Sequence, residues 1–145
     1  MNEKSFKKQL LRGLEEYSEE RKLPYHWQLH EDARSVGLPD ISYGVAGVNG
    51  WIEAKYSDKN FSPSTAFNPP FEPFQEAWLV ARGQAAGRAD LVWGFRDGHL
   101  IVPWDALLSR ILGATTTEEL LKSTRAGFYL GKFNQKSMAK LVDES

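Results

Sequence analysis

The sequence predicts an α/β domain built on one mixed sheet. Three observations carry this. A helical apolar stripe opens the chain, three short strand patterns follow it, and a second helix then precedes further strands and helices. The length of 145 residues fits one domain, and a chain 41% hydrophobic and 26% charged has the profile of a globular protein rather than a disordered one.

The elements come in order. Residues 3–22 read as a helix, with Phe6, Leu10, Leu14 and Tyr17 at helical spacing and Pro24 as its stop. Trp27 to His30 is a short strand. Ile41 to Val45 and Trp51 to Tyr56 are two more, with Gly44, Gly47 and Gly50 punctuating the turn region. Residues 57–74 break the pattern with Pro63, Pro69, Pro70 and Pro73 among Phe61, Phe67, Phe71 and Phe74. A loop of this length in a compact domain docks on something, either its own core or a partner. Phe74 to Gln84 reads as a helix closed by Gly87. Leu91 to Phe95 and His99 to Val102 form a hairpin across Asp97-Gly98. Trp104 to Leu112 and Thr117 to Leu121 read as helices, Phe128 to Phe133 as a last strand and Gln135 to Val142 as a last helix.

Composition excludes several chemistries. There is no cysteine, so disulfides, thiolate nucleophiles and zinc–thiolate sites are absent. The longest apolar runs, such as Ala77 to Ala81, are far too short to cross a bilayer. No apolar stretch follows Met1 to Lys4, so no secretory leader is expected. No phosphate-binding loop motif or GxGxxG is present, which leaves a nucleotide cofactor unexpected. The net charge of −1 does not announce a nucleic-acid binder, but its distribution is uneven. Lys122, Arg125, Lys132, Lys136 and Lys140 form an acid-free basic segment, and Lys4, Lys7, Lys8 and Arg12 form a second group.

The chemistry concentrates in Pro39-Asp40 and Glu53-Ala54-Lys55. On a strand, alternate residues share a face, so Trp51, Glu53 and Lys55 project together, roughly 7 Å from one to the next. Two carboxylates converging on a point make a hard oxygen site suited to Mg²⁺ or Mn²⁺, with the Ala54 carbonyl as a further ligand. Such an ion polarises a phosphodiester and acidifies a water, and Lys55 then orients that water or offsets the growing charge.

The turn register tests this reading. A tight hairpin at Asn49-Gly50 would put Asp40 opposite Lys59 and destroy the site. A two-residue turn at Ala46-Gly47 puts Asp40 opposite Glu53. A six-residue loop from Val45 to Gly50 puts it opposite Lys55, diagonal to Glu53. Either of the last two keeps the three side chains on one face. Other candidates are weaker. His26 and His30 share a strand face but lie about 13 Å apart, too far for one ion. Trp51, beside the site, is placed to stack on a base or sugar. Arg34 and Ser35 are candidate phosphate contacts, and the five tryptophans otherwise read mostly as core.

These residues resemble the signature of the PD-(D/E)xK nucleases, which include restriction endonucleases and archaeal-type Holliday-junction resolvases. Gln75, in Phe74-Gln75-Glu76-Ala77-Trp78-Leu79, matches the Gln that follows the core motif in resolvase-like and VRR-NUC-type members. The resemblance spans about residues 3–95. It implies a restriction-endonuclease-like core, a mixed sheet of four or five strands flanked by helices, within a single nuclease domain. The core would be about 3–103, with a helical, basic C-terminal extension over about 104–145. It also implies a metal-dependent endodeoxyribonuclease selective for branched DNA, acting as a homodimer in recombination or repair, in a bacterial or phage-infected cytosol. Asp40 and Glu53 would bind Mg²⁺, with Mn²⁺ as substitute. Lys55 would assist the attacking water, and Gln75 and a first-helix Glu, best Glu3, would support the site. Lys132, Lys136 and Arg34 would contact DNA. Two alternatives stand beside this: a non-catalytic DNA- or protein-binding module on the same fold, and a sequence-specific nicking or restriction-type enzyme. Retention of both acids and the lysine favours the enzyme.

Overall fold

A computed structural model describes residues 1–30, 39–62, 68–112, 119 and 127–142. Six strands form one sheet in the order of the chain: β1 (Tyr25–Leu29), β2 (Ile41–Val45), β3 (Val48–Tyr56), β4 (Ala89–Gly94), β5 (Gly98–Pro103) and β6 (Gly127–Leu130). The β3–β4 pair is parallel and every other pair is antiparallel, so the sheet is mixed. The parallel pair needs a crossover, which α2 (Gln75–Ala86) supplies. The sheet has six strands where four or five were expected. The short β6 pairs with β5 at the edge and completes it.

Helices cover both faces. On one side, α1 (Glu3–Glu20) and α4 (Gln135–Val142) pack together. They bury Phe6, Leu10 and Leu14 against Ile41, Val45, Ile52 and Ala54. The apolar stripe read from the sequence is the buried face of α1, and Asn2 caps it by accepting from the Ser5 N–H at 2.9 Å. On the other side, α2 and α3 (Trp104–Leu112) bury Leu79 and Leu107 over Leu91, Leu100 and Val102.

Two described residues of the Pro/Phe loop dock on this second core. Phe61 stacks on Phe128 with ring centroids 4.0 Å apart and meets Phe95 edge-on, and Phe71 packs against the same cluster. Phe74 instead stands exposed. Phe67 and the helix expected over Thr117 to Leu121 lie outside the described residues, Glu119 apart.

Candidate active site

The β2–β3 turn sets the site. Val45 pairs with Val48, so Ala46 and Gly47 form a two-residue hairpin turn, and both take positive φ (49° and 85°). This is the backbone twist that two-residue hairpins prefer. Asn49-Gly50 lies inside β3 and is not a turn. Ile41 pairs with Ile52, and continuing that register puts Asp40 opposite Glu53, the arrangement expected from an Ala46-Gly47 turn.

The end of β2 matters as much as its register. β3 runs on past the partner of Ile41, so among the described residues its β2-side edge has no strand partner from Glu53 onward. Asp40 fills the gap: its carboxylate accepts the Ala54 N–H at 3.0 Å. The N–H and C=O of one strand residue point to the same edge, so the Ala54 carbonyl faces this gap too. The first turns of α1 reach it from the other side. Lys7 pairs with Asp40 at 3.1 Å, and Glu3 lies 3.7 Å from the Lys55 ammonium.

Glu53 and Lys55 project towards α2. Glu53 is 1% exposed, and Lys55 lies 3.5 Å from its Oε2. Gln75, at the start of α2, donates from Nε2 to the same Oε2 at 3.3 Å. Its Oε1 accepts the Glu72 N–H at 2.7 Å, which fixes which way the amide points. The chain enters α2 through Phe74, whose φ of 72° is rare for an aromatic residue. Four residues read from the sequence, Asp40, Glu53, Lys55 and Gln75, are therefore brought together by three separate segments.

The electrostatics are unbalanced. Glu53 Oε1 is buried and receives no hydrogen bond. Burial first, and then the neighbouring Asp40 carboxylate, push the Glu53 carboxyl up to about 9 against the pull of Lys55. On Lys7, burial opposes the charge, but Asp40 outweighs it and holds the ammonium above its ordinary value. An orphaned carboxylate oxygen beside a second carboxylate and an edge-facing carbonyl is a donor set for a hard divalent ion, and Mg²⁺ commonly takes only one or two carboxylates from the protein. The residues present therefore fit Mg²⁺ or Mn²⁺. Among the described residues no group of three His, Cys, Asp or Glu converges as a metal cluster. Glu3 meets Lys55 rather than the two carboxylates.

Comparison with solved structures shows a likeness to a nuclease. It is to Hjc, a Holliday junction resolvase from the archaeal hyperthermophile Archaeoglobus fulgidus, with a TM-score of 0.51 and 17% identity. The match covers 71% of this chain and 78% of the resolvase. The two chains share a fold. It is the restriction-endonuclease-like α/β architecture expected from the motif. No family model matches the sequence, and a search of curated proteins returns no match.

The remaining candidates are more scattered. Lys132 is exposed and lines a depression of about 290 Å³ with Met1, Gln9, Tyr56 and Arg96, so Tyr56 links it to the strand that carries Lys55. Lys136, also exposed, lines a separate hollow with His99 and Tyr129. Arg34 and Ser35, like Lys122 and Arg125, lie outside the described residues. Sequence reasoning counted Lys7 only within a basic group. Its spacing from Glu3, four residues along a helix, was the signal that both reach one place.

Proposed function

We propose that this chain is a metal-dependent DNA endonuclease selective for branched or otherwise structured DNA, working as a homodimer. One observation carries the reading. Two acids, a lysine and a glutamine meet on the central strands of a resolvase-like fold, with a buried Glu53 oxygen that lacks a donor.

In this reading Asp40 and Glu53, with the Ala54 carbonyl, hold Mg²⁺ or Mn²⁺. The bound ion supplies charge stabilisation to the phosphodiester and acidity to a water. Lys55 orients the attacking water and offsets charge on the phosphate, as its buried ammonium beside Glu53 suits it to do. Gln75 is a positioning residue, because it reaches the chemistry through Glu53 and its own amide is fixed by Glu72. Glu3 holds Lys55 from the α1 side, and Lys7 pairs with Asp40. Lys132 and Lys136 are the DNA contacts proposed within the described residues, and Arg34 is proposed from sequence alone. The likeness to a Holliday junction resolvase supports a branched substrate. A four-way junction cut on two strands needs two such sites, which supports the dimer.

The test is cleavage of a labelled four-way junction and a matched linear duplex, wild type beside Glu53→Ala. Junction cutting that needs Mg²⁺ and falls at least a thousandfold in the variant is the expected result. Wild type that leaves both DNAs intact with Mg²⁺ and with Mn²⁺, and flaps and single strands too, defeats the catalytic reading.

A further inference from the structure

Trp51 lies two residues before Glu53 on the same face of β3, roughly 7 Å along the strand. It is half-buried and sits at the centre of a ring cluster. The His30 ring is 5.1 Å away, and Trp78 of α2 is 5.6 Å away. Arg82, exposed one turn further along α2, lays its guanidinium 4.2 Å from the Trp78 ring and 5.0 Å from that of Trp51.

Among the described residues no helix covers this face of the sheet beside the cluster. α2 and α3 pack over β3, β4 and β5, while the same face of β1 and β2 presents His26, Gln28, Ser42 and Gly44, all exposed or half-exposed. Between them is a depression of about 270 Å³ whose lining includes His26, Ser42, Gly44, Asn49 and Trp51. Gly44 keeps it open: a Cβ there would stand 2.9 Å from Asn49 Oδ1.

We infer that this ledge holds an unpaired nucleotide next to the bond being cut, its base taking the place of the Arg82 guanidinium on the Trp51 and Trp78 rings while that guanidinium turns to its phosphate. The inference rests on the nuclease reading and narrows its substrate to DNA with an unstacked base at the cleavage point. Aromatic faces backed by a guanidinium bind bases without regard to sequence. A base inside a duplex has both faces covered by its neighbours and cannot use such a surface. The ledge neighbours the candidate site along β3, and the spacing of Trp51 from Glu53 is about that of a single extended nucleotide. The trough on β1 and β2 gives that nucleotide's strand a polar path away from the site.

Trp51 and Trp78 also fasten α2 to β3. A packing role would alter stability and leave substrate preference alone, so preference is the readout. Wild type, Arg82→Ala and Trp51→Leu are compared with Mg²⁺ on a linear duplex, a fully paired four-way junction and a splayed duplex with an unpaired arm. The bases flanking the mapped cut are then replaced by 2-aminopurine, and their fluorescence is followed on binding to Glu53→Gln protein. The wild type is expected to prefer the splayed substrate, and the Glu53→Gln protein to quench the base beside the cut. Both variants should lose about tenfold or more on that substrate and much less on the duplex, and Arg82→Ala in the Glu53→Gln background should lose the quenching. If Trp51→Leu does not fold, Arg82→Ala, changed at an exposed position, decides. Unchanged ratios without quenching overturn the ledge and leave the nuclease reading standing, as does a wild-type preference for fully paired DNA. A wild type that cuts none of the three overturns the nuclease reading, and the ledge falls with it.

Discussion

The Glu53 carboxyl is almost wholly buried, with one oxygen lacking a hydrogen bond and a second carboxylate beside it. Its folded-state value lies above its ordinary one, so the neutral form suits the ion-free fold. The stability it contributes is complete below the ordinary carboxylate range. It is lost as pH rises through the folded value near 9. Glu53→Gln removes that loss. Its amide can donate toward Asp40, where the carboxylate has no donor, and still accept from Gln75. With a chelator present, the variant should melt above wild type at pH 8, the gap closing toward pH 5. A gap that stays constant with pH would show that Glu53 is not the titrating group. The residues of this site were legible because their logic is local. Alternation along one strand aligns Glu53 with Lys55, and the turn alternatives could be enumerated. Lys7 was not legible as an Asp40 partner, because its role depends on where β2 stops and how α1 crosses that edge.

Elements fix the site through close approaches that composition does not reveal. α2 brings Gln75 to Glu53, and its own position is set by α3. Gly83 faces Trp104 so tightly that a Cβ there would lie 1.9 Å from the indole Cγ. Alanine inside a helix is worth roughly 1 kcal/mol over glycine. Forcing carbon against the root of an indole, which cannot swing away like the end of a flexible chain, costs about 1–3 kcal/mol. The clash should win. Gly83→Ala is expected to lower the urea midpoint, through a net loss of up to about 2 kcal/mol after the helix gain, and to reduce cleavage by shifting Gln75. A midpoint at or above that of wild type would mean that α3 yields freely. At this scale the sequence spoke clearly for α1, whose stripe is buried as spaced, and for the β4–β5 hairpin, although its turn is Arg96-Asp97 rather than Asp97-Gly98: Gly94 pairs with His99, and Phe95 N–H donates to Gly98 C=O. The ends of β1 and β3 were misplaced by two or three residues, since pairing partners rather than local propensity end a strand.

Across the whole molecule, the candidate site sits on the third of six strands, with helices packed on both sides. Each of the six strands was legible as a segment, β6 included, and only the count of four or five implied by the family resemblance fell short, by leaving out an edge strand. That central position has a thermodynamic consequence. A group on β3 is released only by opening the sheet, so an ion held by Asp40 and Glu53 binds the native state and not the unfolded chain. Saturation at about a hundredfold over Kd then adds about 2.7 kcal/mol, or about 5–10 °C in Tm for a domain of this size. The gain should grow as pH rises from 6 to 8, because the ion competes with the proton that Glu53 otherwise keeps. Mg²⁺ titrations followed by calorimetry, for wild type and Glu53→Gln side by side, check this. The wild type should gain and the variant should gain little. Equal shifts in both would place the ion elsewhere on the surface. No shift in the wild type would mean that Lys7 and Lys55 already satisfy the two carboxylates and that the native protein has no need of a cation there.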